Sequence, residues 1–114
     1  MTTTATTTIT TTITTDEKLM TLINVFTVDP ENQQELIDVL AEATTVMVEL
    51  PGFISANLHR SVDGRRVINY VQWRSKDDYD AMQANPRAVP HMRQAAQLAT
   101  FEPIICDVAY VGHA

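Results

Sequence analysis

This chain has one cysteine, so no internal disulfide can hold it together. Cys106 lies in the apolar run Ile104-Ile105-Cys106-Asp107-Val108 without a cationic neighbour, which predicts a packed, inert core thiol rather than a reactive one. Positive charge is also short: eight Lys and Arg stand against fourteen Asp and Glu, for a net charge of −6. Phosphate binding needs a clustered basic surface, and these basic residues are scattered, so a nucleic-acid partner is excluded. No apolar run approaches the ~18 residues of a membrane helix, and no basic segment followed by an apolar stretch marks a leader. The expectation is a cytoplasmic protein with no membrane partner. The three histidines, His59, His91 and His113, have no ligand spacing, so no metal site is expected.

What is present suits one compact domain. Of the 114 residues, 45% are hydrophobic, and a chain of this length buries roughly two thirds of its unfolded surface. Residues 1–18 are set apart as a threonine-rich flexible arm, too poor in apolar groups to offset the entropy of ordering. The alternative is that its β-branched residues add an edge strand to a neighbouring subunit. The domain proper is residues 19–114.

Residues 19–28 read as a strand that places Met20, Leu22, Asn24, Phe26 and Val28 on one face, so that Asn24 is the polar exception in an apolar row. Asp29-Pro30 opens a helix whose stripe is Leu36, Leu40, Ala43, Met47 and Leu50, and Pro51-Gly52 ends it. Two strands follow, residues 53–61 and 66–74. Ser75-Lys76-Asp77-Asp78 is a capping box for a short helix carrying Tyr79 and Met82, and Asn85-Pro86 breaks it. A helical stretch over residues 87–98 turns Val89, Met92 and Ala96 inward, and Pro103 leads into a last strand over residues 104–111. The order β-α-β-β-α-β is the ferredoxin-like split βαβ arrangement of the α+β class, a four-stranded antiparallel sheet with helices on one face.

With Asp63-Gly64-Arg65 as a three-residue hairpin loop, His59 faces Asn69, and Ser55, Asn57, Val71 and Trp73 share their side of the sheet. That row of donors and acceptors among apolar neighbours predicts a pocket for an oxygen-rich organic molecule. The other face would then carry Ile23, Val25, Ile54, Ala56, Leu58, Ile68 and Tyr70, more apolar surface than a monomer leaves in water. Two such sheets closing face to face predict a homodimer, a dimeric α+β barrel.

Pro51-Gly52-Phe53 and Gln72-Trp73-Arg74-Ser75 give residues 19–112 a resemblance to the antibiotic biosynthesis monooxygenase family. The set Asn24, Asn69, Trp73, Tyr79 and Arg93 resembles its cofactor-independent anthrone oxygenases of aromatic polyketide pathways. The resemblance implies catalytic roles for Asn24, Asn69 and Trp73, pocket-lining positions for His59, Tyr79 and Arg93, and no cofactor. It also implies a small aromatic substrate and O2 as partners. The chemistry stands without it: an anthrone's acidic ring methylene gives an enolate able to reduce O2 by one electron, so the protein need only bind the rings, stabilise the enolate and hold the radical pair together.

Two other readings are open. The haem-degrading branch of the same superfamily would use Asn24 and a helix histidine, for which His91 is the candidate, although Met82 stands near the place of its helix tryptophan. A non-catalytic ligand-binding module on the same fold is the other, because fold alone does not fix function. Residue by residue, Trp73 also reads as core packing, His59 as a half-exposed strand histidine, Tyr79 as a helix-to-sheet anchor and Arg93 as part of a solvated face, while His91 is expected to point away from Arg93.

Overall fold

A computed structural model describes residues 8–114; the first seven residues of the threonine-rich segment lie outside it. Strand β1, Met20–Val28, forms where β-branched and apolar residues alternate. A 3-10 turn, Pro30–Asn32, leads into helix α1, Gln33–Met47. Proline presets the turn, but Asp29 makes no side-chain capping bond. Strands β2, Phe53–Arg60, and β3, Arg66–Trp73, follow, then helices α2, Lys76–Gln83, and α3, Val89–Leu98. Strand β4, Ala99–Cys106, completes the set. The sheet order is β2-β3-β1-β4, all neighbours antiparallel, and this is the ferredoxin-like α+β arrangement.

Three local expectations give way. The first is the hairpin register. Ser61 pairs with Arg66 through its backbone and its hydroxyl, so four residues, not three, make the loop. Asp63 Oδ1 accepts from Ser61 Oγ at 2.7 Å and from Arg65 N at 3.0 Å, and Gly64 takes φ +80°. The extra loop residue slips β2 by one place, and a one-residue slip exchanges the faces of a strand. Leu58, not His59, opposes Asn69, and His59 opposes Ile68. Ala56 and Leu58 therefore turn toward the helices, while Ser55, Asn57 and His59 turn to the outer face. A bulge at Ile54 lets Phe53 rejoin the helix side opposite Trp73.

The second is β4, which begins at Ala99 rather than at residue 104 and contains Pro103. Proline is tolerated there because β4 is an edge strand with no outer neighbour in the sheet. Cys106 closes this strand half-buried on the outer face, opposite Thr21, rather than packed in the core. The third is the phase of α3. Ala95 and the cap residue Ala88 are buried and Ala96 is exposed, so the stripe is shifted by one residue from Val89 and Ala96, while Met92 faces inward as expected.

The helices cover one face of the sheet, and two apolar clusters form between the layers. One gathers Met20, Leu22, Leu50, Val71, Trp73, Tyr79 and Met82. The other gathers Phe26, Val28, Leu36, Val39, Leu40 and Val67. On the outer face, the threonine segment crosses β2 and β3: Thr11 Oγ1 donates to Asn57 Oδ1 at 2.6 Å, and Gln72 Nε2 donates to Thr12 O at 2.8 Å. Ile23, Val25, Ile68 and Ile104 remain beside it as an apolar strip narrower than expected, since Ala56 and Leu58 have left that face. Among the described residues, no helix is long and apolar enough to cross a membrane.

Candidate active site

Between the two apolar clusters the layers do not meet, and a cavity of about 820 Å³, its open mouth included, separates sheet from helices. Strand pleat decides what enters it. Asn24 on β1 and Asn69 on β3 are register partners, so their side chains leave the sheet side by side on the helix face. Trp73 lies four residues beyond Asn69 on the same face, roughly 13 Å along the strand at ~3.3 Å per residue. All three line the cavity. Tyr79 of α2 lines it as well, and so do Phe53 and Ala56 of β2. Phe101, Pro103 and Gln83 are lining residues that remain exposed, and they mark the open side.

The polar atoms of the cavity floor have no partners. Asn24 Oδ1, Asn69 Oδ1 and Trp73 Nε1 are each buried without a hydrogen bond. A buried polar group left unsatisfied costs about 1–3 kcal/mol, and three in one cavity consume a substantial share of the roughly 5–15 kcal/mol that holds a domain folded. Such a cluster is characteristic of a site kept ready for a ligand. The set is chemically mixed: the asparagines offer carbonyl acceptors and amide donors, and the indole offers only a donor.

Around this floor the walls are apolar and fixed by ring contacts. Trp73 is 1% exposed. Phe53 meets it edge-on at 5.4 Å and Tyr79 at 6.2 Å. The Tyr79 hydroxyl accepts from Gln83 Nε2 at 3.0 Å. Burial, with the Asp80 carboxylate adding to it, pushes the Tyr79 phenol above its ordinary range, so it stays a proton donor at neutral pH. Helix α2 is held in place by Ser75, whose Oγ accepts from Asp78 N at 3.1 Å while donating to Asp78 Oδ2 at 2.7 Å. Gly52 packs against that cap in the left-handed region at φ +80°, and its carbonyl accepts from Arg74 N at 2.7 Å. The two segments Pro51-Gly52-Phe53 and Gln72-Trp73-Arg74-Ser75 are thus joined at one spot beside the cavity.

Four of the six expected site residues come together here: Asn24, Asn69, Trp73 and Tyr79. His59 does not. It is exposed on the outer face, with Nδ1 3.0 Å from Asn57 O, because of the register slip. Arg93 does not either; the rotation of α3 leaves it exposed, outside the cavity wall. The same rotation brings in His91, half-buried and lining the cavity, where it had been expected to point elsewhere. The signal for it lay in the alanines: Ala88 and Ala95 flank His91 at three and four residues and share its face. Among the described residues, no group of three or more His, Cys, Asp or Glu is placed to hold a metal ion.

The description of the antibiotic biosynthesis monooxygenase family matches residues 19–98. The tetracenomycin-F1 monooxygenase of Streptomyces glaucescens is 46% identical over 93 residues, spanning 81% of this chain and 83% of that protein. Among solved structures, SnoaB, a cofactor-independent oxygenase from Streptomyces nogalater, superposes with a TM-score of 0.74 at 26% identity, covering 82% of this chain and 95% of its own. The Streptomyces coelicolor monooxygenase from the gene ActVA-Orf6, solved with nanaomycin D, superposes with a TM-score of 0.75 at 26% identity, covering 83% of this chain and 91% of its own. With residues 19–98 matched by its description and a monooxygenase relative at 46% identity, this chain belongs to the antibiotic biosynthesis monooxygenase family.

Proposed function

We propose that this protein is a cofactor-independent monooxygenase that oxidises an anthrone-type aromatic polyketide, or a related polyphenol, to a quinone with O2. The observation that carries the reading is the trio of unpartnered buried atoms, Asn24 Oδ1, Asn69 Oδ1 and Trp73 Nε1, on the floor of one apolar cavity. A fused-ring polyphenol supplies what that floor lacks: hydroxyl donors for the amide carbonyls and an oxygen for the indole N–H. The similar proteins described as a tetracenomycin-F1 monooxygenase and a cofactor-independent oxygenase support the same choice.

The reaction needs little beyond positioning. Loss of a methylene proton leaves an enolate delocalised over an oxygen-bearing ring system, along which the Asn69 amide meets one oxygen and the Trp73 N–H another, and such donors act more strongly in a water-poor cavity than in solution. The enolate gives one electron to O2. The resulting radical and superoxide combine to a peroxide, which loses water to leave the carbonyl of a quinone; one oxygen atom enters the product and the other leaves as water. Tyr79, which keeps its proton at neutral pH, offers the peroxide a hydrogen bond from its hydroxyl.

A homodimer is part of the proposal. A second copy would close over the outer face, covering the strip of Ile23, Val25, Ile68 and Ile104 together with the threonine segment beside it. Light scattering should then report twice 12.7 kDa. The functional test is metal-free, flavin-free protein incubated with a model anthrone, with and without O2. Quinone formed only in the aerobic arm supports the reading. Turnover abolished by chelators would sink the cofactor-free mechanism, and a Soret band on haem titration would favour haem degradation, which His91 and Asn24 facing one cavity would also serve.

A further inference from the structure

We propose that His91 is the catalytic base, taking the methylene proton of the bound aromatic substrate. The assignment rests on the oxygenase reading above and names the residue that begins its reaction. Enolate formation needs a proton acceptor that works near neutral pH, and side chains of that kind are few: imidazole and carboxylate.

Element by element, the cavity offers one. Strands β1 and β3 present amides, an indole and aliphatic groups, and β4 presents Phe101 and Pro103. Helix α1 presents Thr44, whose hydroxyl is already committed to Leu40 O at 2.8 Å. Helix α2 presents Gln83 and Tyr79, and burial holds the Tyr79 phenol in its protonated form. Helix α3 presents His91.

The charged groups of the same elements lie elsewhere. Glu102 of β4 is exposed on the outer face opposite Val25. Asp78 is tied to Ser75 and Arg74, and Asp80 to Lys76. Arg87 and Glu49 form an exposed pair, and Arg93 is exposed on the far side of α3 from His91. Among the described residues lining the cavity, His91 is the one imidazole, and no carboxylate lines it.

The local fold supports the role. Pro90 sits in the first turn of α3, and the backbone N–H of His91 donates to Ala88 O at 3.1 Å. Ala88 is fully buried, so the turn that carries the imidazole is anchored to the core while the ring itself is half-buried at the cavity wall. The proton balance closes on the same residue. The methylene C–H bond breaks, its electron pair passes into the ring system as the enolate, and the proton moves to an imidazole nitrogen. The imidazolium first protonates the terminal peroxide oxygen; the neutral imidazole then takes the second methylene proton as the C=O forms and the O–O bond breaks, and hands it to the departing hydroxide, which leaves as water.

The test compares wild type with His91→Gln and His91→Ala on a model anthrone, using circular dichroism to verify that the variants fold. A positioned general base contributes about 10²–10⁴-fold, so kcat/KM should fall by roughly that factor in both variants. His91→Gln should lose the acid limb of the pH–rate profile and recover as solution chemistry makes the enolate at high pH. Added imidazole should restore part of the His91→Ala rate, and a substrate deuterated at the methylene should show a larger isotope effect with His91→Gln than with wild type. An active wild type alongside His91→Gln with the same rate and pH profile overturns the base assignment alone. A wild type inert toward the anthrone overturns the oxygenase reading and this assignment with it.

Discussion

Asn24 and Asn69 are direct cross-strand partners in the middle of the sheet, and both carry a buried amide oxygen with nothing bonded to it. Paired side chains on adjacent strands sit about 5 Å apart at Cβ, close enough for the amides to bond each other, yet neither oxygen receives a bond. The pair is spent on the cavity instead of on the fold. That division separates what stabilises the protein from what the site requires.

The first expectation follows directly. Asn69→Ala and Trp73→Phe should each cut anthrone oxidation by about 10²-fold, the usual cost of losing one donor to a developing oxyanion. Trp73→Phe keeps a ring against Phe53 and Tyr79 and removes the N–H, so it isolates the hydrogen bond from the packing. Asn24→Leu should abolish activity and raise the melting temperature by a few degrees, because an unsatisfied amide gives way to an apolar group. Steady-state kinetics beside thermal unfolding checks both halves; native rates in Asn69→Ala and Trp73→Phe would mean the polar row is structural.

Gly52 gives a second, purely structural expectation. At φ +80° any L side chain is strained, and a methyl there would overlap the Asp78 carboxyl, which is bonded to Ser75, the N-cap of α2. Gly52→Ala should cost about 1–3 kcal/mol from the backbone conformation alone, with more from the displaced cap. Urea unfolding should show the midpoint falling, whereas an unchanged midpoint would mean the cap relaxes freely.

Asp78 ties the same corner to pH. Its bond from Arg74 first, and then that from Ser75, hold its carboxyl below the ordinary carboxylate range. A carboxyl lowered in the folded state adds stability that is complete above the unfolded value, near pH 3.8, and is lost as pH falls through the lowered folded value. Stability should therefore decline below about pH 4 in wild type. Asp78→Asn should start less stable at neutral pH and show a shallower acid limb. Unfolding free energies from pH 2 to 6 test the slope.

The parts of the site visible in sequence are those governed by strand alternation. Asn24 interrupts an apolar row with period two, and Asn69 and Trp73 share a face whatever β2 does, because their separation of four is internal to β3. The capping box at Ser75 is equally local. What escaped depended on distant or small effects. His59 was misplaced because one hydroxyl, that of Ser61, lengthens a loop by one residue. Arg93 and His91 exchanged roles because the expected stripe of α3 ran through Val89 and Ala96, whereas Ala88 and Ala95 are the residues that bury, Ala95 against Leu36, Val39 and Leu40 of α1, and that packing turns His91 inward and Arg93 out. Pro103 misled in the other direction, since a residue that stops a central strand is harmless at an edge.

Register also makes an expectation of its own. Leu58 packs beside the second core cluster, whereas His59, its neighbour, is exposed on the outer face. Leu58→Asp should destabilise by several kcal/mol, as expected for an unpaired charge among apolar groups. His59→Asp should stay within about 0.5 kcal/mol of wild type. The opposite order in thermal unfolding would restore the three-residue loop and return His59 to the cavity.

The threonine segment supplies the last expectation, and Gln72 is the residue that decides it. Gln72 is 4% exposed although it lies on the outer face, because the segment covers it. Its amide is satisfied from both sides: Oε1 accepts from Ser55 Oγ at 2.8 Å and Nε2 donates to Thr12 O at 2.8 Å. Thr11 adds a bond to Asn57. Each such bond contributes about 0.5–1.5 kcal/mol net, less the entropy of ordering the segment, about 1–2 kcal/mol per residue fixed. The balance is small and favourable only where several contacts share one ordered stretch. Deleting residues 1–15 should therefore lower the melting temperature by a few degrees and leave anthrone oxidation within about twofold, since the cavity lies on the opposite side of the sheet. An unchanged melting temperature would show that the segment contributes nothing to stability; a large loss of activity would show that the outer face and the cavity are coupled through β3.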